Sequence, residues 1–260
     1  MLAQVLGMHP ECLALHEPVP RLLPEGYACW SGTRPREHIR VSVRRKRRRF
    51  INQVDQNGLV YVESAHYTSH LIPVLHSLFD AKFVHLFRNG RDFVRSGLER
   101  KSWYNEFSWL HPEGMSLRER VKTWLQRRLL VNFDSSYADH RLEPPAHLKS
   151  RFEKICWLWN EINRTIVRDF DSLPESTKMS LKLEAFGRAD VEALHDFIGL
   201  SKNRTDIKLM LERAGRKPNK TDHYSTPPPR EWTQQQKNRF SEIAGDTMNT
   251  LGYSATPVEE

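Results

Sequence analysis

The stretch Lys82–Gly97, with the sequence KFVHLFRNGRDFVRSG, decides the fold that we predict for this chain. Its first half contains the apolar run Phe83–Phe87, which ends at the turn signal Asn89-Gly90, as expected of a buried parallel strand. Asp92 then falls in the first turn of a following helix, where its charge suits the helix dipole. The pattern therefore predicts a strand, a tight turn and a helix.

Two polar residues, Arg88 and Ser96, belong to this turn and the helix after it. Arg88 stands at the carboxyl end of the strand, the edge where open α/β sheets bind their ligands. A guanidinium fork and a hydroxyl can together hold a phosphate. An arginine after a strand is also commonly a surface residue or an ion-pair partner, so the spacing alone leaves both interpretations open.

The same stretch resembles the 3′-phosphate-binding motif of the sulfotransferases that use 3′-phosphoadenosine 5′-phosphosulfate (PAPS). In that family an arginine at a strand end and a serine eight positions later hold the 3′-phosphate, and Arg88 and Ser96 have this spacing. The resemblance implies an α/β fold of the P-loop NTPase-like type, with one parallel sheet covered by helices on both faces. It also implies transfer of a sulfuryl group from PAPS to a hydroxyl or amine, without a metal.

The resemblance supplies a first candidate for the catalytic base, Glu17. The apolar run Cys12–Leu15 predicts a short strand, and Glu17 follows it, seven residues after Pro10 of a His-Pro pair. Tyrosylprotein-type sulfotransferases place their catalytic glutamate at this distance. A strand-end carboxylate is suited to meet an acceptor hydroxyl, although Glu17 could instead pair with the nearby basic segment.

A second candidate, His66, competes with Glu17 for the same role. His66 follows the predicted strand Leu59–Val62 and lies 22 residues before Arg88, as the catalytic histidine of cytosolic sulfotransferases does. Those enzymes carry a lysine two residues earlier, where this chain has Ser64. A histidine that bonds locally at a strand end is the alternative. We favour Glu17, because its His-Pro and Glu-Pro context also matches the family.

A basic, proline-rich loop over residues 215–229 supplies the remaining candidate contacts to the donor. In the family the equivalent late loop folds over the adenosine and the 3′-phosphate, which makes Lys217, Asn219 and Lys220 candidates for cofactor binding. Solvated loop charges are the alternative.

One feature of the family is missing from this sequence. The glycine-rich loop that cradles the 5′-phosphosulfate, and the strand that feeds it, should precede Leu2. We therefore expect either a sequence that starts late or a degenerate relative. The missing strand is central in the family's sheet, so its neighbours would have unpaired edges. We expect poor transfer activity, and a relative that only binds adenosine 3′,5′-bisphosphate is an alternative.

The composition favours anionic partners. The chain has 260 residues, a net charge of +8 and an isoelectric point near 9.5. The length suits a single domain over residues 1–260, with a variable acceptor-site insertion at about 100–150. The acceptor could be a small molecule, a carbohydrate or a tyrosyl peptide. The three cysteines lack metal-ligand spacing, and neither a signal peptide nor a membrane-length apolar run occurs, so we expect a cytoplasmic protein without a metal.

Local patterns predict the remaining elements. A helix is predicted over 36–56, and it contains the basic run Arg44–Arg49. This run is interpreted as a solvated helix face, with a landing surface for an anionic substrate or a nucleic-acid patch as alternatives. Nucleic acid ranks low because no aromatic residues are interleaved. Proline and glycine predict a loop over 20–35, and apolar periodicity predicts a helix over 150–170.

Overall fold

The structure is a computed structural model that describes residues 2–99, 104, 142–215 and 226–254. Most of the predicted insertion at 100–150 lies outside the described residues. Lys217, Asn219 and Lys220 lie outside them as well, so their role stays a prediction.

Helices dominate, and they alternate with short strands, so the α/β class is confirmed. The helices α1 to α9 span Leu2–Leu6, Leu23–Ser31, Arg36–Asn57, Ile72–Phe79, Gly90–Glu99, Arg151–Asp171, Arg188–Ile198, Ile207–Gly215 and Gln234–Thr250. The strands β1 to β4 span Cys12–His16, Val60–Ser64, Phe83–Phe87 and Lys178–Lys182. A short 3₁₀ turn over His66–His70 connects β2 to α4.

The strands form two separate parallel pairs, whereas a single parallel sheet was predicted. β1 pairs with β2, with Cys12 opposite Val60, and β3 pairs with β4, with Phe83 opposite Lys178. The parallel direction is as predicted, but β2 and β3 are not hydrogen-bonded neighbours. The crossover through α4 therefore does not return the chain to the free edge of β2. In the part of the chain that the structure describes, every strand has a neighbour on one side only.

The contacts divide the chain into two compact units. The strand unit comprises residues 1–87 and 165–220 and contains all four strands. The helical unit comprises residues 88–164 and 221–260 and contains α5, α9 and most of α6. This division describes how contacts are distributed, and the predicted single domain over 1–260 stays a prediction.

Helix α2 lies where proline and glycine predicted a loop, so that prediction is wrong. Pro24 occupies the first turn of the helix, where its missing N–H costs nothing, and Gly32 ends the helix in the left-handed conformation. Gly26 is needed for packing, because a Cβ there would lie 2.4 Å from the carbonyl oxygen of Tyr67. The same residues that break a helix in its interior thus start it, end it and allow a close approach.

Helix α3 was predicted correctly, but its basic run is not uniformly solvated. Four of its apolar residues are buried in the core of the strand unit: Ile39, Val43, Phe50 and Val54. Arg47 lies on this inner face and is only 1% exposed. The interpretation of Arg44–Arg49 as a solvated face is therefore wrong for Arg47, whose charge is satisfied inside the protein.

Candidate functional site

The carboxyl ends of β1 and β2 bring together the two candidate bases. The strands run in parallel with His16 opposite Ser64, so the residues that follow each strand meet at one edge. The carbonyl oxygen of Ser64 accepts a hydrogen bond from the backbone N–H of Glu17 at 3.0 Å. It also accepts one from Nδ1 of His16 at 2.9 Å. These bonds hold the chain after β1 close to the end of β2.

The two candidate bases, Glu17 and His66, do not lie at separate places. Their side chains are hydrogen-bonded to each other. Nδ1 of His66 lies 3.2 Å from Oε1 of Glu17. A carboxylate can only accept, so the imidazole carries a proton on Nδ1, and a neutral ring then has its lone pair on Nε2. The Glu17 side chain is 16% exposed and the His66 side chain 51% exposed. The carboxylate is therefore the inner partner and the imidazole the outer one.

The carboxylate of Glu17 is also held by Arg21. The guanidinium Nε of Arg21 lies 3.6 Å from the second carboxylate oxygen, Oε2. The backbone of Glu17 has a φ of +46°, in the left-handed region that non-glycine residues rarely adopt. Such a conformation costs about 1 to 3 kcal/mol and clusters at functional sites. Arg21 was not among the site residues predicted from the sequence, although its position four residues after Glu17 is compatible with an ion pair.

A buried ion pair lies directly beneath this edge of the strand unit. Nε and Nη2 of Arg47 donate to the two carboxylate oxygens of Glu63, at 2.5 and 2.6 Å, and Nη1 donates to the carbonyl oxygen of Pro20. The hydroxyl of Tyr61 donates to Glu63 at 3.0 Å. Burial, with the Glu63 charge, raises the pKa of Tyr61 above its ordinary value. The penultimate residue of β2 is thereby fixed to α3.

Tyr67 follows His66 and is buried at the same edge. Its side chain is 3% exposed, and its hydroxyl has no hydrogen-bond partner among the described residues. Burial, followed by the negative charges of Glu63 and Glu17, raises the pKa of Tyr67 above its ordinary value. The phenol therefore stays neutral at physiological pH beside the candidate base pair.

Arg88 and Ser96 both belong to the helical unit. Arg88 lies in the turn that leads into α5, and Ser96 lies on α5 itself. Nη2 of Arg88 donates to the backbone oxygen of Asp92, and its guanidinium carbon lies 6.0 Å from the centre of the Phe93 ring. Ser96 is half-buried on the second turn of α5. The contacts of the described residues include no hydrogen bond between Arg88 and Ser96. Their joint binding of a phosphate stays a prediction.

The turn that carries Arg88 is fixed by packing. The indole Nε1 of Trp159 donates to the backbone oxygen of Arg88 at 3.1 Å. Gly90, the first residue of α5, is buried, and a Cβ there would lie 3.0 to 3.1 Å from Trp159, Met248 and Phe240. Only glycine allows these side chains to approach the start of α5 without a shift.

Helix α5 is also hydrogen-bonded to Thr226, near the end of the late loop. Thr226 donates its backbone N–H to Oε1 of Glu99 at 2.5 Å and accepts a hydrogen bond from Nε of Arg95 at 3.3 Å. Arg91 donates to the backbone oxygen of Ser254 at 2.9 Å. The helix that carries Ser96 therefore binds the chain directly after the segment 216–225.

The described residues show neither a metal-binding cluster nor a disulfide. Within this part of the chain, no group of three or more His, Cys, Asp or Glu side chains is placed to hold a metal ion. Cys12, Cys29 and Cys156 are free thiols, and burial raises the pKa of Cys12 to about 11. None of the described helices is both long and apolar enough to cross a membrane.

Comparisons with known proteins do not assign a family. No protein-family model, curated protein or solved structure matches the chain. The residues and their geometry therefore carry the functional argument.

Proposed function

We propose that this chain is a sulfotransferase-like protein that uses PAPS as its sulfuryl donor, with the Glu17–His66 pair serving the acceptor. The observation that carries the proposal is the hydrogen bond between these two side chains at the carboxyl edge of parallel strands. The sequence resemblance assigns the base to one or the other position. Because the two side chains are in contact, Glu17 and His66 form one carboxylate–imidazole pair.

In this pair we assign the base to His66 and the positioning role to Glu17. The imidazole is the more exposed partner, and a neutral imidazole with its lone pair on Nε2 can accept a proton from an acceptor that approaches from solvent. Its Nε2 would take the proton of the acceptor hydroxyl or amine, while Glu17 holds Nδ1–H and stabilises the imidazolium that forms. Arg21 keeps the carboxylate in place. This assignment departs from the preference for Glu17 that the sequence suggests.

The donor is assigned to the helical unit and the late loop. Arg88 and Ser96 would bind the 3′-phosphate, with Lys217, Asn219 and Lys220 as further contacts. The bonds from Arg95 and Glu99 to Thr226 support this, because they tie the end of that loop to α5. In the transfer, the acceptor oxygen or nitrogen bonds to sulfur as the bond from sulfur to the bridging oxygen breaks. Adenosine 3′,5′-bisphosphate then leaves.

The strand order supports the finer fold assignment to the P-loop-like type. In the family that the sequence resembles, a strand at the centre of the sheet feeds the glycine-rich loop, and none of the four strands in the described residues is followed by such a loop. The strands of the structure form two separate parallel pairs, which is the pattern that a sheet without its central strand would leave.

Nucleotide binding tests the donor assignment. Titration calorimetry with adenosine 3′,5′-bisphosphate should show binding to the native chain, and Arg88→Ala should weaken it about tenfold or more, as expected for loss of a charge-assisted contact. Arg164→Ala is the matched control, since the Arg164 side chain is exposed and pairs with Glu161 of the same helix. Absence of binding by the native chain, or equal weakening in both variants, would refute the assignment.

Transfer of labelled sulfate from PAPS to a panel of phenols, saccharides and tyrosyl peptides tests the catalytic pair. His66→Gln should lower the rate about 100-fold or more, the contribution of a positioned base. Glu17→Gln should lower it less, because the imidazole stays in place. His38→Gln, at an exposed position of α3, should leave the rate unchanged. Nucleotide binding with no transfer to any acceptor would instead indicate a non-catalytic relative.

A further inference from the structure

Helix α3 presents arginine side chains along its outer face. Arg44, Arg45 and Arg48 are exposed, and Arg40 is half-buried. Together with Glu37, Val41 and Leu78 of α4, they line a groove with a volume of about 320 Å³. We call this the α3 groove. It is independent of the proposed sulfuryl transfer.

Three arginines of the α3 groove have no carboxylate partner in the part of the chain that the structure describes, whereas several exposed arginines elsewhere have one. Among the described residues, no carboxylate lies within ion-pairing distance of Arg44, Arg45 or Arg48, and Glu37 pairs with Arg40 at 3.3 Å. In contrast, three exposed arginines elsewhere lie 2.8 Å from a carboxylate: Arg164 with Glu161, Arg168 with Asp169, and Arg188 with Glu192. Like charges one turn apart destabilise a helix, so a bound anion would relieve a cost that this helix carries.

The floor of the groove restricts the kind of anion. Val41 is 60% exposed and, with Leu78, gives the groove an apolar strip between the charges. None of the residues that line it is aromatic, so nucleic-acid bases would find no ring to stack on. The apolar face of α3 packs into the core, so the helix cannot insert into a lipid surface.

The spacing of the charges fits an extended peptide. Arg44 and Arg48 are one turn apart, about 6 Å along the helix axis. Side chains on one face of an extended peptide repeat about every 6.7 Å, so carboxylates at alternate positions would meet successive arginines. We propose that the α3 groove binds an acidic segment of a partner protein in extended conformation, with Asp or Glu at alternate positions.

Fluorescence anisotropy with labelled synthetic peptides tests this proposal. A peptide of about twelve residues that alternates Glu and Ser should bind the full chain in about 50 mM salt and more weakly in about 300 mM, because exposed charges are screened. The triple variant Arg44→Ser, Arg45→Ser, Arg48→Ser should weaken binding about tenfold or more. The variant Arg164→Ser, Arg168→Ser, Arg188→Ser removes the same charge and should change the affinity less than about twofold.

Other results would overturn the proposal. Equal weakening in the two triple variants would indicate attraction to net charge alone. Equal binding of a peptide with its glutamates in one block would show that the groove does not recognise carboxylates at alternate positions. Tighter binding of an RNA or DNA duplex, lost in the α3 variant, would indicate a nucleic-acid site. If circular dichroism shows that the triple variant does not fold, the single variants Arg44→Ser and Arg48→Ser replace it, and each should still weaken binding.

Discussion

The edge of the β1–β2 pair and the turn from β3 into α5 are both strand ends, but they are held in different ways. At the first, ionisable side chains contact each other: Glu17 bonds to His66, and Arg47 to Glu63. At the second, a backbone carbonyl accepts from Trp159, and aromatic side chains pack on Gly90. The first arrangement brings ionisable side chains together, whereas the second fixes a backbone turn.

Removal of Arg47 should have the largest effect on stability, because the β1–β2 edge depends on buried charge. Arg47→Ala leaves the carboxylate of Glu63 buried without its partner, so we expect a loss of about 3 to 5 kcal/mol in the free energy of unfolding. Urea denaturation followed by circular dichroism measures it. The exposed neighbour Arg48→Ala should change stability by less than about 0.5 kcal/mol. Similar losses in the two variants would show that the buried pair does not hold this edge.

Gly26→Ala should have the next largest effect. The new Cβ would meet the carbonyl oxygen of Tyr67 at 2.4 Å, and this backbone atom cannot move without shifting the residue next to His66. We expect a loss of about 3 kcal/mol. Gly215→Ala is the control, since its Cβ would meet nothing within 4 Å. A thermal melt of Gly26→Ala that matches the control would contradict the close approach.

Gly90→Ala tests how tightly side chains pack at the second strand end, the turn from β3 into α5. Its Cβ would lie 3.0 to 3.1 Å from side-chain atoms, which can give way more easily than backbone. We expect a loss of about 1 to 2 kcal/mol, together with a change in tryptophan fluorescence because Trp159 must shift. An unchanged spectrum and urea midpoint would show that the turn into α5 is less tightly packed than the distances indicate.

Glu153→Gln should have the smallest effect, since it removes the charge of one half-buried capping carboxylate in the helical unit and keeps its shape. Glu153 accepts from the backbone N–H of Ser150, and Arg239 pairs with it, which lowers its pKa to about 2. A lowered folded-state pKa means that the charged form adds stability above the ordinary pKa near 4.5, and that this stability is lost as the pH falls toward 2.

The measurement for Glu153 is therefore the urea midpoint as a function of pH. At neutral pH the loss on Glu153→Gln should be about 1 kcal/mol, typical of a helix cap. The difference between the native chain and the variant should shrink as the pH falls from 5 toward 2, the window set by the lowered pKa. A difference that stays constant over this range would show that the carboxylate charge contributes nothing.

Most of the individual helices and strands could be predicted from local patterns in the sequence. The strand, turn and helix over 82–97, the helix over 150–170 and the helix over 36–56 follow from apolar periodicity and turn residues within short windows. The loop predicted over 20–35 was wrong because it rested on composition alone. Proline and glycine break a helix in its interior, but they also start and end one, and composition does not separate these cases.

Which side chains contact each other could be read only from the folded chain. Glu17 and His66 lie 49 positions apart, and they touch because the register of β1 on β2 sets His16 opposite Ser64. Arg47 lies among five other basic residues in the run from Arg44, and only the packing of α3 shows that it points inward to Glu63. Periodicity is a local property of the chain, whereas register and burial depend on residues distant in sequence. For that reason the candidate residues came from the sequence, and their pairing from the fold.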